Sequence, residues 1–230
     1  MTQPEFSSDL TVVTRKIWGT DRDVPETARV SSQGWDEIFF HEDEWALTQG
    51  DINLIEMLSA NGHTSPFEHM GASFYLHVPI FVMREWMRHR TQSYNEESGR
   101  WRVLEGRFYI PEQGRPTKQI GRTGEYSFVA DDQTNRIAQA WLKDANRSAW
   151  DAYESQLEEG VAKEVARMCL PVNIYTRVIV SANFLNWVKF LKLRAAPAAM
   201  HEIRMCAFDV KAELNKAFPV SMAAWFKDAN

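Results

Sequence analysis

The chain lacks the composition of a nucleic-acid surface or a membrane protein. Its 230 residues include 26 lysines and arginines against 31 acidic residues, so the net charge is -5, whereas surfaces that bind long nucleic acids usually carry a basic excess. No stretch reaches the roughly 20 apolar residues of a membrane helix, and the N-terminus shows no basic segment followed by an apolar run. We therefore expect a cytoplasmic protein that binds neither a membrane nor polymeric nucleic acid.

Cysteine is also scarce. Cys169 and Cys206 are the only two cysteines, and both lie among apolar neighbours on predicted helices. This setting favours buried, unreactive thiols over a disulfide or a nucleophile.

Two common nucleotide-binding motifs are missing as well. The sequence contains neither Gly-x-Gly-x-x-Gly nor Gly-x-x-x-x-Gly-Lys, which disfavours a Rossmann domain and a nucleotide triphosphatase.

Internal repeats and low-complexity segments are also absent. With 44% hydrophobic residues, a chain of this length fills one core, so we predict a single domain over residues 1–230.

Hydrophobic periodicity predicts both helices and strands. Ala72, Phe74, Leu76 and Val78 alternate with other residues, as in a strand with one buried face. The longest helical signal covers 131–159, where apolar residues recur near a period of 3.6. Further predictions are helices at 51–60, Ile80 to His89, 161–168, 183–193 and 199–217, a strand at Ile174–Val180, and a flexible loop or extended excursion at 112–127.

The most concentrated polar chemistry lies between Arg88 and Trp101. These fourteen positions hold four cationic or titratable groups and two carboxylates. A solvated surface network is one interpretation of such a run. However, Trp86 directly precedes this run and Tyr94 lies within it, so several charges lie against apolar surface and need partners or ligands. Because guanidinium groups bind phosphate oxygens with paired donors, we predict an anionic ligand here.

Two other kinds of site are disfavoured. His63, Glu68 and His69 lack the helical His-Glu-x-x-His spacing, and no cysteine or third histidine is near in sequence, so we predict no metal site. Ser98 lies outside a Gly-x-Ser-x-Gly elbow, and no paired base can be identified for it. A hydrogen bond to a phosphate or a base therefore suits Ser98 better than a nucleophilic role.

Two more arginines lie on predicted secondary structure. Arg177 is inside an apolar strand and Arg204 is inside an amphipathic helix, where each alone suits a structural ion pair. Taken together with Arg88 and Arg100, they indicate an anionic ligand held from several elements.

A spaced motif runs through the polar segment. Arg88-His89-Arg90 is followed by seven residues and then Ser98. This pattern, with the residues from Ser93 to Arg100, resembles the marker of the flavin-dependent thymidylate synthases. Further matches keep that family's order along much of the chain: His63-x-Ser65-Pro66-Phe67-Glu68-His69, Phe108-Tyr109-Ile110-Pro111, Glu164-Val165-Ala166-Arg167 with Leu170-Pro171, Tyr175-Thr176-Arg177, Leu193-Arg194 and Glu202-Ile203-Arg204.

The resemblance implies an α+β fold with one domain, in which an antiparallel β-sheet packs with α-helices. It also implies a homotetrameric methyltransferase that binds FAD and has its active sites at subunit junctions. Such an enzyme converts dUMP to dTMP, with 5,10-methylenetetrahydrofolate as the carbon donor and NADPH as the source of reducing equivalents.

Matching positions imply the ligand contacts. The implied flavin contacts are His63, Ser65, Arg88, His89, Arg90, Glu96 and Arg194. The implied nucleotide contacts are Glu85, Arg88, Glu96, Glu97, Ser98, Gly99, Arg100, Arg177 and Arg204. Arg204 corresponds to the family's activating arginine and is the predicted catalytic residue. Its fixed positive charge would favour the anionic form of the uracil ring, so no enzyme nucleophile is needed.

The chain departs from the family pattern at three places. Residues 195–201 lack the His-Ala-Gln run common there, Glu85 stands where Gln is frequent, and Trp101 replaces a frequent Tyr.

Two other functions remain open: a non-catalytic module for nucleotides or single-stranded nucleic acid, and a flavoprotein oxidoreductase with another substrate. The acidic net charge and the lack of a continuous basic-aromatic stripe argue against the first of these.

Overall fold

A computed structural model describes residues 2–33, 46–122 and 125–227 of the chain. The helices in these ranges are α1 (Asp23–Gln33), α2 (Gln49–Ala60), α3 (Ile80–Trp86), α4 (Asp132–Glu158), α5 (Lys163–Ala166), α6 (Phe184–Arg194), α7 (His201–Ala217) and α8 (Pro219–Trp225). The strands are β1 (Glu5–Ser7), β2 (Thr11–Trp18), β3 (Gly71–Pro79), β4 (Ser93–Glu96), β5 (Arg107–Tyr109), β6 (Pro116–Arg122), β7 (Glu125–Ala130) and β8 (Tyr175–Asn183). Short 3₁₀ turns cover Ser65–Glu68 and Arg167–Cys169.

The described strands form three sheets. Strands β1 and β5 pair in parallel, and β6 and β7 pair antiparallel as a hairpin. The other four strands follow the order β2-β3-β8-β4. The predicted fold class, a mixture of α-helices with antiparallel sheet, is confirmed. Within the described ranges, no helix has the length and apolar character needed to cross a bilayer.

The chain forms two compact units, each built from separate segments of the sequence. The first unit comprises Met1–Thr11, His77–Trp86 and Glu96–Val178, and the second comprises Val12–Leu76, Met87–Asn95 and Ile179–Asn230. The single domain over residues 1–230 stays a prediction.

Aromatic side chains form the core of the first unit. Helix α4 contributes Trp150 and Tyr153, whose rings lie 5.2 Å apart, and Trp150 packs edge-on against Phe108 of β5. Ile174 completes this buried cluster. The Tyr153 hydroxyl accepts a hydrogen bond of 3.0 Å from the main-chain N–H of Leu104, so the core also restrains the segment that follows the polar motif.

The core of the second unit places α6 against β3. Trp187 of α6 lies edge-on to Phe74 at 5.0 Å, and its indole N–H donates to the carbonyl of Ala72 at 3.0 Å. Gly71 is required at the start of β3, because a Cβ there would lie 2.4 Å from the Trp18 ring and 2.5 Å from the Ala182 carbonyl. This close packing fixes the orientation of α6, which ends at Arg194.

Most of the long predicted helices are confirmed. The signals at 131–159, 183–193 and 199–217 correspond to α4, α6 and α7 within two residues at each end. Side-chain caps explain two of the boundaries. The Asp131 carboxylate accepts from the N–H of Thr134 at 2.8 Å, and the Asn183 side chain accepts from the N–H of Asn186 at 3.0 Å.

The helix predicted from Ile80 to His89 ends earlier, at Trp86. The His89 carbonyl accepts from the N–H of Gln92 at 3.1 Å and from the Tyr94 hydroxyl at 2.9 Å. These contacts turn the chain into β4, so the first half of the polar motif lies in a turn.

One prediction is narrowed and another is wrong. Of the two alternatives for 112–127, a flexible loop or an extended excursion, the structure supports the extended excursion, because the described residues of this range lie largely in the paired strands β6 and β7. Cys169 is exposed, because it ends the 3₁₀ turn after α5, whereas Cys206 is buried as predicted.

Candidate active site

The polar motif is divided between the two compact units. Residues through Asn95 belong to the second unit, and residues from Glu96 onward belong to the first. The predicted nucleotide residues Glu96 to Arg100 lie in the first unit with Arg177, whereas Arg88 to Arg90 lie in the second with Arg194.

In the first unit, Arg177 of β8 is bound to Glu97 through both main chain and side chain. The N–H of Glu97 donates to the Arg177 carbonyl at 2.9 Å, and the N–H of Arg177 donates to the Glu97 carboxylate at 3.0 Å. The Arg177 guanidinium lies 3.5 Å from the same carboxylate and 2.5 Å from that of Glu105. The hydrogen bond from Arg177 lowers the pKa of Glu105. The Glu105 carboxylate is therefore held as an anion beside the guanidinium.

Residues 98–101 form a tight turn beside this pair. The N–H of Trp101 donates to the Ser98 carbonyl at 3.1 Å, and the N–H of Arg100 donates to the Ser98 hydroxyl at 3.3 Å. Gly99 is buried, and a Cβ there would approach the Arg167 side chain to 3.1 Å. The turn therefore has little room for a larger residue at position 99.

Arg100 and Glu96 each have a partner within the first unit. The Arg100 guanidinium pairs with Glu164 at 2.9 Å, and both side chains are more than half exposed. The Glu96 carboxylate accepts from the Thr176 hydroxyl at 2.7 Å. Glu85, the remaining predicted nucleotide residue of this unit, is half-buried on α3. Glu164 belongs to a matched motif, but its pairing with Arg100 across 64 positions could not be inferred from spacing.

His77 was not singled out by the sequence, although it lies near Arg177. The Arg107 guanidinium contacts His77 Nδ1 at 3.4 Å, and the Tyr175 ring packs against the imidazole at 5.1 Å. Burial, then the charges of Arg177 and Arg107, lower the pKa of His77. Because a guanidinium can only donate, Nδ1 is the acceptor and the ring is neutral.

In the second unit, His89 is held between two helical side chains. Arg194, which is only 9% exposed, donates from Nε to His89 Nε2 at 2.9 Å. Phe190 packs its ring 5.0 Å from the imidazole. The Tyr94 hydroxyl donates to the His89 carbonyl, and burial raises the pKa of that hydroxyl to about 12. His89 and Arg194, both predicted flavin contacts, are thus in direct contact with each other.

The neighbours of His89 are exposed. Among the residues that the structure describes, the guanidinium groups of Arg88 and Arg90 make no hydrogen bond or ion pair. His63 and Ser65 are also exposed, at the start of the 3₁₀ turn that buried Pro66 anchors. These side chains offer positive charge and hydrogen-bond donors for an anionic ligand.

Arg204 lies on α7, inside a helix as predicted, and is half-buried. Its Nη1 donates to the Pro197 carbonyl at 2.8 Å. In the described ranges, no three His, Cys, Asp or Glu side chains are grouped so that they could hold a metal ion.

Comparison with known proteins identifies the family. The chain matches the family model described as thymidylate synthase complementing protein over residues 12–220. A flavin-dependent thymidylate synthase from Tropheryma whipplei (strain TW08/27) is 39% identical over 233 residues, which cover 97% of this chain and 95% of that protein. The Streptomyces avermitilis protein of the same name is 39% identical over 232 residues, which cover 97% and 93%.

A solved structure is similar over the whole length. The crystal structure of the UMP/dUMP methylase PolB from Streptomyces cacaoi, bound with 5-Br dUMP, superposes with a TM-score of 0.88. Its sequence is 33% identical, and the match covers 97% of each chain. The chain is a methyltransferase by these comparisons. It belongs to the flavin-dependent thymidylate synthase family.

We expect His77 to make stability depend on pH between 7.5 and 5.5. Its pKa is lowered in the folded state, so the unfolded chain binds a proton at higher pH than the folded chain does. The stability gained from neutral His77 is therefore present above about pH 6.5 and is lost as the pH falls below that value.

Urea unfolding at pH 7.5, 6.5 and 5.5 measures this effect. The parent should lose more stability over the interval than His77→Gln does, and the exposed control His69→Gln should follow the parent. Equal losses in the parent and His77→Gln would contradict the assignment.

Proposed function

We propose that the protein converts dUMP to dTMP by reductive methylation, with FAD, 5,10-methylenetetrahydrofolate as the carbon donor and NADPH as the reductant. The observation that carries the proposal is the unbroken motif from Arg88 to Ser98 in a chain of this family. The homotetrameric state, with active sites at subunit junctions, and the cytoplasmic location belong to the same proposal.

The nucleotide phosphate is assigned to Arg100 and Arg177. Each guanidinium already binds a carboxylate, from Glu164 and from Glu105 respectively, and carboxylate and phosphate oxygens fit the same paired donors. The Ser98 hydroxyl and the main chain at Gly99 then position the nucleotide. We assign Glu85, Glu96 and Glu97 to the same side, where Glu97 orients Arg177.

The residues of the second unit fit a flavin dinucleotide. Arg88 and Arg90 are exposed guanidinium groups without a partner among the described residues, and such groups suit the diphosphate of FAD. His89 is fixed by Arg194, and His63 and Ser65 are further exposed donors of the same unit. When bound, the flavin supplies the hydride. The protein side chains bind and orient the flavin, and they keep charged groups at fixed positions.

Arg204 is assigned to activation of the uracil ring. A fixed cation beside the ring favours its anionic form, which promotes attack from carbon without an enzyme nucleophile. Cys206, two residues away on α7, does not suit a nucleophile, because it is fully buried and burial raises the pKa of its thiol.

The overall proposal is tested with purified protein. We expect flavin absorbance, and tritium release from 5-tritiated dUMP when methylenetetrahydrofolate and NADPH are supplied. Protein that binds no flavin and releases no tritium after FAD is added would refute the proposal. Steeply salt-dependent oligonucleotide binding without flavin would instead favour a binding module, and turnover of NADPH without dUMP binding would favour another flavoprotein activity.

UMP is a second candidate substrate. PolB is described as a UMP/dUMP methylase, and its structure bound with 5-Br UMP matches this chain with a TM-score of 0.88 and 31% identity. The same assay with 5-tritiated UMP separates the two. Faster release from dUMP supports thymidylate synthesis, and comparable release from UMP supports a ribonucleotide methylase.

Replacing Arg204 tests the activating role. Arg204→Ala should lower the rate of dTMP formation by at least about 100-fold, as loss of one charge-stabilising donor does in other enzymes, with a smaller change in dUMP affinity. Arg204→Lys keeps the charge and should restore part of the rate. A near-normal rate in Arg204→Ala with unchanged dUMP binding would show that the assigned role is wrong.

Neutralising Glu105 tests whether Arg177 binds the phosphate. Glu105→Gln removes a competing anion while Glu97 still orients the guanidinium. Because Glu105 is half exposed and screened, we expect dUMP to bind roughly two- to fivefold more tightly. Equilibrium binding measures this change.

Deoxyuridine, which lacks the phosphate, should bind the variant and the parent equally. Glu159→Gln, an exposed position of the same unit, is the control for net charge. Unchanged or weaker dUMP binding in Glu105→Gln would argue against phosphate at Arg177.

A further inference from the structure

A separate pocket lies in the second unit, at residues from α6, α7 and the end of α8. Its volume is about 550 Å³, within the range of small-molecule sites. No residue assigned above to the flavin or the nucleotide lines it. We call it the lysine pocket, and its chemistry comes from Lys192, Lys211, Lys227, Phe208, Trp225 and Phe226.

The walls of the lysine pocket carry positive charge only. Three ammonium groups line it, and none of the described lining residues is acidic. Lys227 pairs with Glu56 at 2.9 Å, but Glu56 is outside the lining. In a chain whose net charge is -5, this is a local excess of positive charge that favours an anion.

The aromatic rings hold two of the ammonium groups in place. Lys192 Nζ lies 4.8 Å from the centre of the Trp225 ring, and Lys211 Nζ lies 4.9 Å from the centre of the Phe226 ring. Cation–π contacts of this kind restrain otherwise flexible side chains. The pocket therefore combines restrained charge with flat apolar surface.

We propose that the lysine pocket binds a small aromatic anion with two or more carboxylates. Carboxylates pair with Lys192 and Lys211, and the ring of the ligand packs on the aromatic wall. The side chains assigned to this ligand are not those assigned to the flavin or the nucleotide, although Pro197, whose carbonyl accepts from Arg204, also lines the pocket.

The probe is 5-fluoroisophthalate, a fluorinated benzene dicarboxylate, titrated into the purified full-length protein and followed by fluorine NMR. We expect saturable binding that persists with dUMP in excess. The neutral diamide of the same ring should bind at least about fivefold more weakly, since two screened charge pairs are lost. Lack of saturable binding, or displacement of the probe by dUMP, would overturn the proposal.

Two variants and a matched control locate the probe. The double variant Lys192→Gln, Lys211→Gln should weaken binding at least about fivefold, because it removes both restrained charges. Trp225→Leu removes the ring that restrains Lys192 and should also weaken binding. Lys216→Gln changes one charge on α7 outside the lining and should bind as the parent does. Equal binding by the parent and both pocket variants would place the probe elsewhere and refute the site.

Discussion

The double contact between Glu97 and Arg177 fixes the polar motif against strand β8. Main-chain N–H groups of both residues donate within this pair, one to a carbonyl and the other to a carboxylate. A charge-assisted bond beside a main-chain bond is harder to break than either alone. Because Ser98 and Gly99 follow directly in sequence, their positions depend on this pair. The backbone at the predicted nucleotide residues is thus set before any ligand arrives.

The two units use arginine in different ways. In the first unit, Arg100 and Arg177 are paired with carboxylates, so an incoming anion exchanges one partner for another. In the second, Arg88 and Arg90 have no partner among the described residues, so an anion gains their charge without displacing anything. In the proposal, the phosphate of the substrate is assigned to the paired arginines and the flavin dinucleotide to the unpaired ones.

Much of the helical structure could be predicted from periodicity. The helix at 131–159 was predictable because its apolar stripe extends over many turns and Asp131 caps its start. The pairing of β6 with β7 could not be predicted, since most of their residues are exposed and show no alternation of burial. The short strands β1, β4 and β5 have three or four residues, too few for a period of two to be visible. Their pairing depends on distant partners that local sequence does not specify.

The residues of the candidate site could likewise be predicted only in part. A spaced motif singled out Arg88 to Ser98, and the apolar pattern around Arg177 and Arg204 predicted the strand and the helix on which they lie. It could not identify Glu105 or His77, because each becomes relevant only through a partner far along the chain. Cys169 shows the reverse case. Apolar neighbours in sequence suggested burial, but a 3₁₀ turn leaves this residue exposed.

The contact that holds Arg204 has a consequence for the variation of this enzyme family. Its acceptor is the main-chain carbonyl of Pro197, and every amino acid provides such a carbonyl. The side chains of residues 195–201 can therefore change during evolution without removing the acceptor, provided that the backbone keeps its path. Drift in this segment can alter the surface around the arginine while the orientation of the arginine persists.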